Sequence, residues 1–181
     1  MVLELKNVTD IDINKVDKLY HSAFPIEERT SLEVLVRKAK ENKGDFLSIY
    51  DKDKWVGLTY VITYQDLSYV LYLAIDDTYR GKGYGSQTLE LLKIKYPHTI
   101  MLCIEEVEEK YDNYKQRLSR KQFYLRNGLK EMGFKYFEAD VKYEMLYYGK
   151  KLPSKTYDDL MIAYAGDIYH NYRDYSQDEI Y

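Results

Sequence analysis

The residues best placed to do chemistry form one run, Arg80-Gly81-Lys82-Gly83-Tyr84-Gly85-Ser86. An apolar, strand-like stretch, Tyr69 to Ile75, leads into it, and a helical pattern through Leu89 and Leu92 follows. Glycine at three alternate positions removes side chains where a backbone must approach a ligand and adopt unusual dihedral angles. The first N–H groups of the helix behind it have no intrahelical acceptor, and the helix dipole adds partial positive charge there. Strand, glycine loop and helix N-terminus therefore make a seat for an anion, most naturally a phosphate or pyrophosphate.

Spacing narrows the ligand. The dinucleotide fingerprint is G-x-G-x-x-G, and a P-loop ends in Gly-Lys followed by Ser or Thr; this run reads G-x-G-x-G and meets neither. Arg80-x-x-Gly83-x-Gly85, preceded by Leu73-Ala74-Ile75-Asp76-Asp77-Thr78-Tyr79, instead resembles the (Q/R)-x-x-G-x-(G/A) loop of the GNAT superfamily. Members of that family are acetyl-CoA-dependent N-acetyltransferases. The resemblance implies that Arg80, Gly81, Lys82, Gly83, Tyr84, Gly85 and Ser86 hold the pyrophosphate of acetyl-CoA, a cosubstrate. It further implies that a backbone N–H at Ile75 or Leu73 faces the thioester carbonyl.

Acetyl transfer from a thioester to an amine makes three demands. The amine must be neutral, the carbonyl oxygen must be stabilised as it gathers charge, and the departing sulfur must be protonated. A lysine-type amine with pKa about 10.4 is neutral only about once in 2,500 molecules at pH 7, a deficit of roughly 4.6 kcal/mol. An α-amine, with pKa about 7.7–8, needs much less help.

Phe123-Tyr124-Leu125-Arg126-Asn127-Gly128-Leu129 resembles the family's Phe-Tyr-x-x-x-Gly-Phe motif, with Leu129 in place of the last phenylalanine. The resemblance nominates Tyr124 as the acid for the leaving thiolate. Glu105 and Glu106 end the strand-like Met101-Leu102-Cys103-Ile104, and alternation puts them on opposite faces. A related set of bacterial acetyltransferases has an Ile-Glu pair here, then an acidic linker and a helix ending in Phe-Tyr. On that likeness Glu105 is the expected base, directly or through a water. One departure stands out: where many members carry an asparagine seven residues before the tyrosine, this chain has Arg117. Arginine cannot accept a hydrogen bond, although it can pair with a phosphate.

The elements that must position these residues follow from periodicity. Ile13, Val16, Leu19, Tyr20 and Ala23 predict a helix ended by Pro25, and Thr30-x-x-Glu33 predicts a capping box for a second helix. Residues 46–50, 55–64 and 68–75 read as strands, the first two joined by the charged turn Asp51-Lys52-Asp53-Lys54. Residues 99–104 read as a strand, 113–127 as a helix, and 134–139 as a strand paired with 141–148. The expected fold is α+β, with a twisted, mixed but mostly antiparallel sheet of six to seven strands flanked by helices. In this order the elements resemble the GNAT fold over residues 1–150. Residues 151–181 read as an extension of that domain: Tyr157, Leu160, Met161, Tyr164 and Ile168 mark a packed helix, and a polar tail from Asn171 is expected to be disordered.

Bulk properties exclude other classes. The net charge of −3 offers no attraction to nucleic acid or anionic membrane. No apolar run approaches the ~20 residues that span a bilayer. The opening Met1-Val2-Leu3-Glu4-Leu5-Lys6 is charged too soon for a signal peptide, so the cytoplasm is the expected compartment. The lone Cys103 forbids a disulfide framework, and His21, His98 and His170 match no metal-ligand spacing, so no metal is expected. The expected protein is a monomeric or homodimeric N-acetyltransferase that acts on the primary amine of a small molecule or peptide by direct attack in a ternary complex. The alternative is a non-catalytic acyl-CoA-binding or interaction module on the same fold.

Overall fold

The computed structural model describes residues 2–138 and 141–166. The expected tail from Asn171, with Ile168 and the end of the 134–139 strand, lies outside the described residues. Among the described residues the fold has seven strands and five α-helices, and it is of the expected mixed class. The chain divides into two compact units: Met1–Thr63 with Ser68–Pro97, and Tyr64–Leu67 with His98–Tyr181.

The first unit holds β1 (Leu3–Asn7), α1 (Ile13–Ala23), α2 (Leu32–Lys40), β2 (Asp45–Asp51), most of β3 (Lys54–Tyr64) and of β4 (Leu67–Ile75), and α3 (Tyr84–Lys95). Its strands lie side by side in sequence order. The charged turn is a tight hairpin that pairs Asp51 with Lys54, and Lys52 takes the left-handed conformation it requires, φ 57°. β1 pairs antiparallel with β2, from Leu3 opposite Asp51 to Asn7 opposite Leu47. That strand was not expected, because its alternation is short and four of its five residues remain at least partly exposed. The capping box also fails: Ser31, not Thr30, is the N-cap of α2, and its side chain caps nothing. Thr30 instead donates its N–H to the Tyr72 hydroxyl at 3.0 Å, while Tyr20 donates to the Thr30 carbonyl at 2.8 Å. Gly57 on β3 is needed for close approach, since a Cβ there would lie 2.3 Å from the Ala74 carbonyl oxygen.

The second unit holds β5 (Thr99–Glu105), α4 (Tyr114–Arg126), β6 (Lys130–Glu138), β7 (Val141–Tyr148) and α5 (Ser154–Ala165). The strand order is β5-β7-β6, both pairings antiparallel. β6 begins four residues before the expected strand, because a register shift between Glu131 and Lys135, with Gly133 at φ 89°, interrupts its alternation. The apolar stripe of α5 is buried as read, through Tyr157, Leu160, Met161 and Tyr164, and Tyr157 packs edge-on against Tyr136 of β6.

α4 is held differently. None of its residues is fully buried. It is tied down by charge instead: Arg117 and Arg120 to Glu105, and Lys121 to Glu131 and Glu144. A helix without an apolar stripe has to be anchored by such pairs.

Candidate active site

In the first unit, β4 delivers its C-terminal end into a 3-10 turn, Asp77–Tyr79, and the glycine loop follows. The Leu73 and Ile75 side chains pack against the cluster of Leu3, Ile49, Val56 and Tyr84. Arg80 turns back on the strand, with Nε donating to the Ile75 carbonyl at 3.1 Å and Nη2 pairing with Asp77 at 2.7 Å. Its side chain is 56% exposed, so the pair with Asp77 is weak and open to competition by a phosphate. Lys82 donates to the Thr78 carbonyl at 2.8 Å and lies over the Tyr79 ring.

Gly81 and Gly83 adopt φ 73° and 84°, and a Cβ built at either one would meet nothing within 4 Å. Gly83 is the N-cap of α3 and offers no side-chain cap, and no acidic residue sits in the first turn. The first helical bond of α3 runs from the Gln87 N–H to the Gly83 carbonyl. The N–H groups of Tyr84, Gly85 and Ser86 thus begin the helix without an intrahelical acceptor, at the positive end of a 12-residue dipole. The open side of the glycines and these bare donors fit a pyrophosphate.

The Tyr84 side chain does something the sequence did not signal. It is buried, donates to Asp51 Oδ2 at 2.9 Å and packs edge-on against Tyr79. Tyr84 therefore anchors the start of α3 to the end of β2, and its own contribution to the seat is its backbone N–H.

In the second unit, alternation along β5 separates the two glutamates as expected. Glu105 faces α4: Oε1 pairs with Arg117 Nη2 at 2.7 Å and Oε2 with Arg120 Nη1 at 3.1 Å. Glu106 is 1% exposed and meets Lys135 Nζ at 2.6 Å and the Tyr111 hydroxyl at 2.9 Å, with Lys110 at 3.6 Å. Burial alone would raise the Glu106 pKa. The hydrogen bonds from Lys135 and Tyr111, with the charges of Lys135 and Lys110, overcome this and hold it well below the usual carboxylate range. The stability that follows is complete above the unfolded glutamate value of about 4.3 and is lost as pH falls through the lower folded value. Glu106→Gln should therefore lower stability at pH 7 by on the order of 2 kcal/mol. The gap to the parent should narrow by pH 3, as read from urea midpoints at both pH values. A gap of constant size would show that Glu106 contributes no linkage.

Tyr124 lies on the last turns of α4, partly buried, with Phe123 edge-on to its ring at 5.1 Å between centroids. Burial pushes its phenol up to about 12, against the nearby Arg120 charge, which lowers it. Its hydroxyl has no hydrogen-bond partner among the described residues, and no fully buried side-chain oxygen or nitrogen among them is unpaired. The ring is partly packed, and the hydroxyl is not wholly sealed from the surface. Arg117 is engaged within the protein through all three of its nitrogens: besides Glu105 it bonds Asn113 Oδ1 at 2.7 Å and the Glu106 carbonyl at 2.9 Å. No group of histidine, cysteine and carboxylate side chains among the described residues could hold a metal. No helix among them is long and apolar enough to cross a membrane.

The family model for the acetyltransferase (GNAT) domain matches residues 42–131, a span that contains every candidate site residue. Residues 42–131 thus carry a GNAT acetyltransferase domain. No curated protein matches it by sequence. Solved GNAT structures share the fold of this domain. A GNAT-family protein from Bacteroides thetaiotaomicron is 24% identical, with TM-score 0.73, over 90% of this chain and 98% of that one. An aminoglycoside 6′-N-acetyltransferase complexed with coenzyme A is 16% identical, with TM-score 0.64, over 84% and 98%. Naa50 of Arabidopsis thaliana, in complex with the bisubstrate analogue CoA-Ac-MVNAL, is 17% identical, with TM-score 0.60, over 83% and 100%. At these identities the likeness is one of fold.

Proposed function

We propose that this GNAT domain is an N-acetyltransferase that moves the acetyl group of acetyl-CoA to a primary amine by direct attack. The observation that carries the reading is the uncapped N-terminus of α3 behind two left-handed glycines with open space over both. Acetyl-CoA, when bound, supplies an activated acyl thioester. The N–H groups of Tyr84, Gly85 and Ser86 hold its pyrophosphate, with Arg80 and Lys82 adding positive charge and Gly81 and Gly83 leaving room for the backbone to close in. A backbone N–H at Ile75 or Leu73 steadies the carbonyl oxygen as charge gathers there. Tyr124 gives its proton to the departing sulfur. Glu105 receives the amine's proton through a water, using carboxylate lone pairs that its two arginines leave open.

The neighbours support an amine acceptor by what they were solved with or named for: an aminoglycoside in one name, a peptide portion in the bisubstrate analogue of another. A second reading draws on the paired state of Glu105, which would equally suit a domain that binds acyl-CoA without turning it over. Incubation with acetyl-CoA and spermidine, kanamycin or a peptide with a free α-amine separates the two. Acceptor-dependent release of free thiol, with an acetylated product by mass, is expected. Acetyl-CoA binding with no thiol release across the panel would favour the binding module.

A further inference from the structure

We propose that Arg117 is a positioning residue for the transfer, holding Glu105 and residues 106–113 in one fixed arrangement. The proposal rests on the reading of Glu105 as proton acceptor.

Arg117 is only 10% exposed, and its guanidinium makes four contacts in four directions. Nε donates to Asn113 Oδ1 at 2.7 Å, Nη1 to the Glu106 carbonyl at 2.9 Å, and Nη2 pairs with Glu105 Oε1 at 2.7 Å. Its Cζ lies over the Tyr111 ring, 3.9 Å from the centroid. Tyr111 in turn donates to Glu106 Oε2 at 2.9 Å. One side chain on α4 thus binds the last residue of β5, the backbone just beyond it, the helix N-cap Asn113 and an aromatic ring between them. An acidic linker that reads as solvated loop is strapped to the helix. Only a planar fork with an apolar face can make all four contacts, so lysine is not an equivalent. The other grip on Glu105, Arg120, is 39% exposed and makes a single contact with it. Without Arg117 the carboxylate would keep one exposed partner and regain its rotational freedom. The loss should then fall on turnover rather than on cosubstrate binding.

The test is a double-mutant cycle of Arg117→Met and Glu105→Gln, with turnover read as thiol release on the best acceptor of the panel above. Arg117→Met should lower kcat at least tenfold and leave the acetyl-CoA Kd, measured by calorimetry, within about twofold. The double variant should be no slower than Glu105→Gln alone, and Arg117→Lys should recover part of the loss. Amide exchange across residues 106–113 should quicken in Arg117→Met. Losses that multiply in the double variant, or an Arg117→Met enzyme at the parent rate, would overturn the positioning role while leaving Glu105 in place. A Glu105→Gln enzyme at the parent rate would instead remove the underlying reading of Glu105, and the role of Arg117 with it. Should Arg117→Met fail to fold by thermal melting, Arg117→Lys takes its place in the cycle. In the absence of turnover with any acceptor, unchanged exchange at 106–113 in the variant would overturn the clamp by itself.

Discussion

Replacing Tyr124 by phenylalanine should lower kcat by about 100-fold or more while leaving the acetyl-CoA Kd within about twofold. The substitution removes one oxygen from a ring that is otherwise packed, and that oxygen bonds nothing among the described residues. Neither the fold nor cosubstrate binding should therefore feel its absence. A phenol held at about 12 is ionised in about one molecule in 100,000 at pH 7, so the proton is in place at the start of every turnover. The same burial makes it a weaker acid than an exposed tyrosine, against an ordinary thiol value of about 8.5. Two effects keep the transfer feasible. A thiolate leaving into desolvated surroundings is itself raised, and Arg120 acts to lower the phenol. Steady-state kinetics paired with calorimetry read the result. Equal losses in turnover and affinity, or no loss in either, would take Tyr124 out of the acid role; the second outcome also suits a domain that binds without catalysis.

Gly83→Glu should weaken acetyl-CoA binding by at least 100-fold in a protein that remains folded. The residue sits at φ 84°, where a side chain costs about 1–2 kcal/mol, yet nothing in the protein lies within 4 Å of the position a Cβ would take. The new side chain therefore has room, and the room is the proposed phosphate seat. It brings a negative charge to the bare N–H groups at the start of α3, where it would cap the helix and repel the ligand together. Gly83→Ala separates these effects, since it carries the backbone strain without the charge. A loss of about tenfold or less is expected for alanine, with melting temperatures of both variants close to each other. Parental affinity in both the Gly83→Glu and the Gly83→Ala proteins would mean that the pyrophosphate sits elsewhere.

The parts of this site that the sequence reveals are those governed by local chemistry. Glycine at 81 and 83 is needed because the backbone there is left-handed, and the α3 start is legible from the pattern that follows. The alternation of Glu105 and Glu106 follows from the period of a strand, and the structure sends them to α4 and to β6 respectively. What stayed hidden depends on partners distant in sequence. β1 forms because β2 lies ready to pair with it, not because its own five residues demand a strand. α4 carries almost no apolar signal, since ion pairs to β5, β6 and β7 hold it. Arg117 looked like a displaced cosubstrate contact, and only the structure shows its donors occupied by Asn113, Glu105 and Glu106. Tyr84 was legible as a loop residue, while its burial and its bond to Asp51 were not.

The proposed function depends first on the glycine loop seating acetyl-CoA. Calorimetric titration of the purified chain with acetyl-CoA, with NADH and ATP as controls, tests it most directly. Saturable micromolar binding of acetyl-CoA, with neither control binding comparably, is the predicted result. No heat of binding, or equal binding of all three, would contradict the assignment of the loop and the function built on it.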